Sequence, residues 1–153
     1  MATHALLDWC KAHAGGLPVT LAARPGADES GITLRLVAAA EATSLSDLAV
    51  RPHRLCLTYR ISVTSDDPAV AHAALIELMF AALATPMLAM ATAGGGELAL
   101  PMALVSGQAA IARYGDFADP ASLYLDVTIE RARPGRTAGV VQEPPVLRTK
   151  RMN

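Results

Sequence analysis

The stretch His53-Arg54-Leu55-Cys56-Leu57-Thr58-Tyr59-Arg60-Ile61-Ser62-Val63-Thr64 alternates without a break. Leu55, Leu57, Tyr59, Ile61 and Val63 fall on one side of an extended chain, and Arg54, Cys56, Thr58, Arg60 and Ser62 on the other. That period of two marks a strand with one buried face. It runs straight into Ser65-Asp66-Asp67-Pro68. There an aspartate can accept hydrogen bonds from the free amides of a first helical turn, and proline suits the first position. The spacing predicts a helix from 68 to about 84, with Val70, Leu75, Leu78, Met79 and Ala82 inward, ended by Thr85-Pro86.

Upstream, Leu6, Leu7, Cys10 and Ala14 recur at helical spacing, so residues 2–14 read as an amphipathic helix. Thr3 is its candidate N-cap, and Gly15-Gly16 its stop. Residues 17–22 read as a short strand closed by the turn Arg24-Pro25-Gly26-Ala27-Asp28. From Gly31 the chain alternates again, Ile32, Leu34 and Leu36 against Thr33 and Arg35, and 42–51 reads as a surface loop. Downstream, Gly94-Gly95-Gly96 is a hinge or tight turn before a short strand or edge at 97–100, and 102–112 fits helix or strand. Leu123, Leu125, Val127 and Ile129 alternate with Tyr124, Asp126, Thr128 and Glu130, a second clear strand. After Arg133-Pro134-Gly135 no apolar period returns. The expected architecture is an α+β domain over 1–133, a mixed or antiparallel sheet of about four strands flanked by helices. A basic, proline-containing arm follows over 134–153.

Composition narrows the classes. The 153 residues are 52% hydrophobic and 4% aromatic, with net charge −1, which allows a core and excludes wholesale disorder. Two cysteines, Cys10 and Cys56, are too few for a disulfide scaffold and read as reduced, buried thiols of an intracellular protein. The first eleven residues carry no basic leader, and Asp8 interrupts their apolar run, so no secretory signal is expected. The most lipid-like window, 75–93, contains Glu77 and Pro86. A buried helix ending near Pro86 explains it better than a membrane span.

Catalytic or metal-binding patterns do not emerge. His4, His13, His53 and His72 form no pair at ligand spacing, and neither cysteine has a near partner. The triglycine lacks the lysine and serine or threonine of a phosphate cradle, and Ser106-Gly107 lacks the flanking glycine turn of a hydrolase nucleophile. Cys56 between Arg54 and Arg60 is the one alternative site, for a small ligand-binding or enzymatic domain. Flanking positive charge lowers a thiol pKa, yet a packed thiol is the plainer account. Arg54 and Arg60 can hold an anion or pair across strands with Asp126 and Glu130, the default for such alternation. Asp66-Asp67 need only cap a helix. No catalytic residue, cofactor or metal is expected.

Charge is unevenly spread. Six basic residues (Arg131, Arg133, Arg136, Arg148, Lys150 and Arg151) face one acid, Glu143, from residue 131 onward, leaving +5 there and −6 on the rest. A basic arm on an acidic body suits docking on an acidic protein surface, such as another copy. Nucleic acid is the weaker partner, since no aromatic residue after Tyr124 offers a stacking platform.

The block Arg51-Pro52-His53-Arg54-Leu55-Cys56-Leu57-Thr58-Tyr59-Arg60-Ile61-Ser62-Val63-Thr64, with 68–83 behind it, resembles the cap, or tube-terminator, proteins of bacterial extracellular contractile injection systems. These are related to phage tail terminators. The shared pattern is an Arg-Pro lead-in, a long alternating strand with a central tyrosine, a short acidic turn and an alanine-rich helix. The resemblance covers roughly 1–133. Family members often read Tyr-Leu-x-Thr where this chain has Tyr59-Arg60-Ile61-Ser62. It implies a non-enzymatic tail-terminator-like domain that forms a homohexameric ring at the distal end of the tube. Such a ring ends tube and sheath polymerisation in a particle built in the bacterial cytoplasm. The implied partners are other copies of the chain and the tube and sheath proteins, with no nucleic acid and no membrane.

Overall fold

A computed structural model describes residues 2–22, 30–41, 53–114 and 122–131. In chain order these form α1 (Ala2–His13), β1 (Val19–Leu21), β2 (Gly31–Glu41), β3 (His53–Thr64), α2 (Pro68–Ala84), β4 (Met87–Ala91), β5 (Glu97–Leu104), α3 (Gly107–Tyr114) and β6 (Ser122–Arg131). The strands make one sheet in the order β1-β2-β3-β6-β5-β4. Only β1 and β2 run parallel, so the sheet is mixed. The fold is α+β as expected, but with six strands rather than about four.

The long alternating strand sits at the centre. β3 pairs antiparallel with β2 on one side and β6 on the other, in the register Leu36↔Tyr59↔Leu125 and Leu34↔Ile61↔Leu123. Its inward residues meet α1 and α2. Leu6, Cys10, Ile32, Leu34, Tyr59, Ile61, Val63, Leu78, Leu125 and Val127 are fully buried there. α3 lies on the opposite face, where Tyr114 stacks on Tyr124 at 4.9 Å and Arg113 reaches Asp126 at 3.3 Å.

α2 starts as the sequence requires. Asp67 accepts a hydrogen bond from the Ala69 amide at 2.9 Å, and Pro68 follows it. Its packed stripe is Ala71, Ala74, Leu75, Leu78 and Ala82. Val70 and Met79, expected inward, are instead 43% and 38% exposed. α2 is apolar nearly all round, so periodicity could not choose its buried face. Thr3 does not cap α1. It lies in the first turn, and its hydroxyl bonds the phenol of Tyr59 at 2.8 Å.

Three further differences have physical causes. Residues 87–91, within the window read as helix ending near Pro86, form the edge strand β4, an apolar run without polar alternation. The triglycine turns that strand back into β5, with the Thr92 amide donating to the Gly96 carbonyl at 2.8 Å. β5 then continues through Pro101, pairing first with β4 and, from Met102 on, with β6, which divides the undecided stretch 102–112 between a strand and α3. Finally, Leu36 and Leu55 are 47% and 43% exposed. Both lie toward the less buried end of the β2–β3 pair, where a bulge between Leu36 and Ala38 also shifts the register of β2 on β3.

Gly31 holds the join of β1 to β2. Its φ is +130°, and a Cβ there would stand 2.5 Å from the Pro18 carbonyl oxygen. That carbonyl also accepts from the Ile32 amide at 2.8 Å. Gly31→Ala is therefore expected to cost at least about 2 kcal/mol in urea unfolding. An unchanged midpoint would contradict this geometry.

Candidate assembly surfaces

The unburied side of α2 dominates the surface. Ile76, Phe80 and Leu83, spaced four and three residues apart, are 50%, 65% and 65% exposed. Val70 and Met79 flank them, and the half-exposed Met87 follows in β4. Glu77 is the helix's only charged side chain. A helix apolar on every side is normally buried on every side, and a contiguous exposed patch of this kind marks a contact surface. Beside it a shallow groove runs between α2 and the end of α1, lined by Ala12, Ala14, Leu17, Ala73, Phe80 and Ala84 among others. At the far edge of the sheet, β4 pairs only with β5 among the described residues. Such an edge is open to another strand.

The opposite face of the sheet is polar and carries the residues of the alternative site. Arg54 forms an ion pair with Glu130 directly across β3 and β6. Arg60 donates from Nε to Ser122 Oγ at 3.0 Å. Asp126 is held by the Thr58 hydroxyl and by Arg113. Cys56 lies between these pairs, and burial, then the charge of Asp126, push its thiol pKa up rather than down. Arg54, Cys56 and Arg60 thus share one strand face without converging on a reacting atom. Cys10 is buried in the core, and burial raises its thiol to about 12. Among the described residues no group of three or more His, Cys, Asp or Glu side chains could hold a metal ion. No described helix is long and apolar enough to cross a membrane.

Of the basic residues singled out for protein contact, Arg131 ends β6 in register with His53. Arg133, Arg136, Arg148, Lys150 and Arg151 lie outside the described residues, as does the arm 134–153. Sequence reasoning missed the outward face of α2. The signal was present, because almost no polar residue interrupts 68–84.

A mixed six-stranded sheet with α1 and α2 on one face and α3 on the other defines an α+β domain whose main unsatisfied feature is exposed apolar surface. This is the fold of a solved protein described as the sheath/tube terminator, in the extended state, of an extracellular contractile injection system, PVC. The TM-score is 0.59 at 14% sequence identity, over 99% of this chain and 62% of that one. The chain thus spans less than two thirds of that terminator's length, and the likeness is one of fold. No protein-family model matches the sequence, and no curated protein matches it.

Two measurements check these surfaces. Phe80→Asp should leave the stability of the isolated chain within about 0.5 kcal/mol of wild type, since the ring is already in water. Leu78→Ala, on the buried side, should cost about 2–5 kcal/mol. Denaturant titration of both variants checks the assignment of faces. In thiol titration, Cys56 should react more slowly than a free thiol at neutral pH and need more alkaline solution to match it, because burial and then the charge of Asp126 raise its pKa. Cys10 should react only on unfolding, and a fast neutral-pH reaction at Cys56 would contradict the geometry.

Proposed function

We propose that this chain is a structural, non-enzymatic terminator subunit of a contractile injection particle. Copies of it close into a homohexameric ring at the distal end of the inner tube and end the growth of tube and sheath. The observation that carries this reading is the shared fold with a sheath/tube terminator over 99% of the chain. The outward apolar side of α2 supports it, because ring closure gives that side a partner. An open β4 edge is a liability in a free subunit and an asset in a ring. The partners are other copies of this chain and the tube and sheath proteins, met in the bacterial cytoplasm where the particle is built.

The basic segment from Arg131 onward adds a second contact. Its +5 charge complements the −6 of the preceding residues, so Arg131, Arg133, Arg136, Arg148, Lys150 and Arg151 dock on an acidic surface of a neighbouring subunit, tube or sheath. Removing the gene from a producing strain should give particles of uncontrolled length lacking an end ring by electron microscopy. Capped particles of normal length would contradict the proposal. Truncation after Pro134 should weaken docking on the particle at low salt, and the difference from the full chain should shrink as salt is raised. Undiminished docking would remove the arm from the account.

A further inference from the structure

The polar face of the sheet holds an arrangement that the terminator reading does not use. Two rows of side chains cross β2, β3 and β6 in register: Thr33↔Ser62↔Ser122 and, beside it, Arg35↔Arg60↔Tyr124. Arg35 and Arg60 are thus direct cross-strand neighbours, half-buried and of like charge. Like charges placed directly opposite destabilise a sheet. Elsewhere on this face positive charge is matched, Arg54 by Glu130 and Arg113 by Asp126. Among the described residues, no carboxylate lies within ion-pair distance of Arg35 or Arg60.

The surroundings suit an anion. Arg60 spends its Nε on Ser122 Oγ at 3.0 Å, which fixes the guanidinium plane and leaves its terminal nitrogens for another acceptor. Thr33 is only 7% exposed, and its hydroxyl has no hydrogen-bond partner. An orphaned polar atom at such a depth costs stability. Beside it Ser62 is 8% exposed. The phenol of Tyr124 is near enough to Arg60 and Arg35 for both charges to pull its pKa down against the stronger upward push of burial. Tyr114, stacked flat on Tyr124, makes an aromatic wall at this side.

We propose that Arg35 and Arg60 form an oxyanion site, taking one phosphate or carboxylate group between their guanidinium planes. Two adjacent guanidiniums bind such a group through paired, charge-assisted hydrogen bonds. The bound oxygens neutralise the like-charge contact, with the hydroxyls of Thr33 and Ser62 beneath. The group is either a free phosphate-type ion or a carboxylate from a second copy of the chain. The site does not depend on the terminator reading, because it rests on this chain's own strands.

The test uses the full chain and inorganic phosphate, against chloride at equal ionic strength. Wild type should gain thermal stability as phosphate rises, through preferential binding to the folded state. Arg35→Gln and Arg60→Gln should lose that gain, with apparent affinity at least about tenfold weaker, the loss expected for a charged hydrogen bond. Arg54→Gln, on the same face but paired with Glu130, should keep it. In phosphate-free buffer Arg35→Gln should be no less stable than wild type, since it removes a like-charge neighbour. If the anion is a carboxylate of another copy, phosphate will not stabilise the chain. Self-association measured by sedimentation will then fall in Arg35→Gln and Arg60→Gln but not in Arg54→Gln. No phosphate response together with unchanged self-association overturns the site. Equal loss in all three variants overturns it too, because that outcome reports general charge screening.

Discussion

From Leu55 to Ser62 every residue of β3 is paired on both sides, with β2 and with β6. That double pairing is the constraint on which the rest of the molecule depends. Side chains along a strand alternate, so pinning β3 between two neighbours fixes which residues face the helices. Tyr59, Ile61 and Val63 go inward, and Thr58, Arg60 and Ser62 go outward. A one-residue slip would drive Arg60 into the core. The Tyr59 phenol, bonded to Thr3, ties the first turn of α1 to this strand, and Leu78 brings α2 onto the same face.

The helix layer then has more apolar surface than the sheet can cover. α2 turns small residues, Ala71 and Ala82 with Leu78, toward the core and leaves Ile76, Phe80 and Leu83 in water. Close approach of helix to sheet is what alanine permits. The larger side chains stand on the side of the helix that no other described element covers. Near-zero net charge conceals a comparable division, −6 on the first 130 residues and +5 on the remainder.

How much was legible depended on contrast within each segment. β3 and β6 could be read because polar and apolar residues alternate strictly, and the start of α2 because Asp67-Pro68 allows little else. β4 could not, since Met87-Leu88-Ala89-Met90-Ala91 offers no polar position to reveal a period. The buried face of α2 is hidden for the same reason: spacing alone puts Val70 and Met79 inward and does not single out the Ile76–Phe80–Leu83 stripe. Other features belong to pairing rather than to any one segment. Arg54 with Glu130 followed from alternation, whereas Arg35 opposite Arg60 required the register of β2 on β3. The bulge after Leu36 likewise has no local signature.

The central claim is that the outward face of α2 exists to be covered by other copies in a closed ring. The most direct test is the mass of the purified full chain in solution, by sedimentation velocity or native mass spectrometry. The account predicts a hexameric species that Phe80→Asp dissociates. A chain that stays monomeric at every accessible concentration, alone and with tube or sheath protein present, would contradict it.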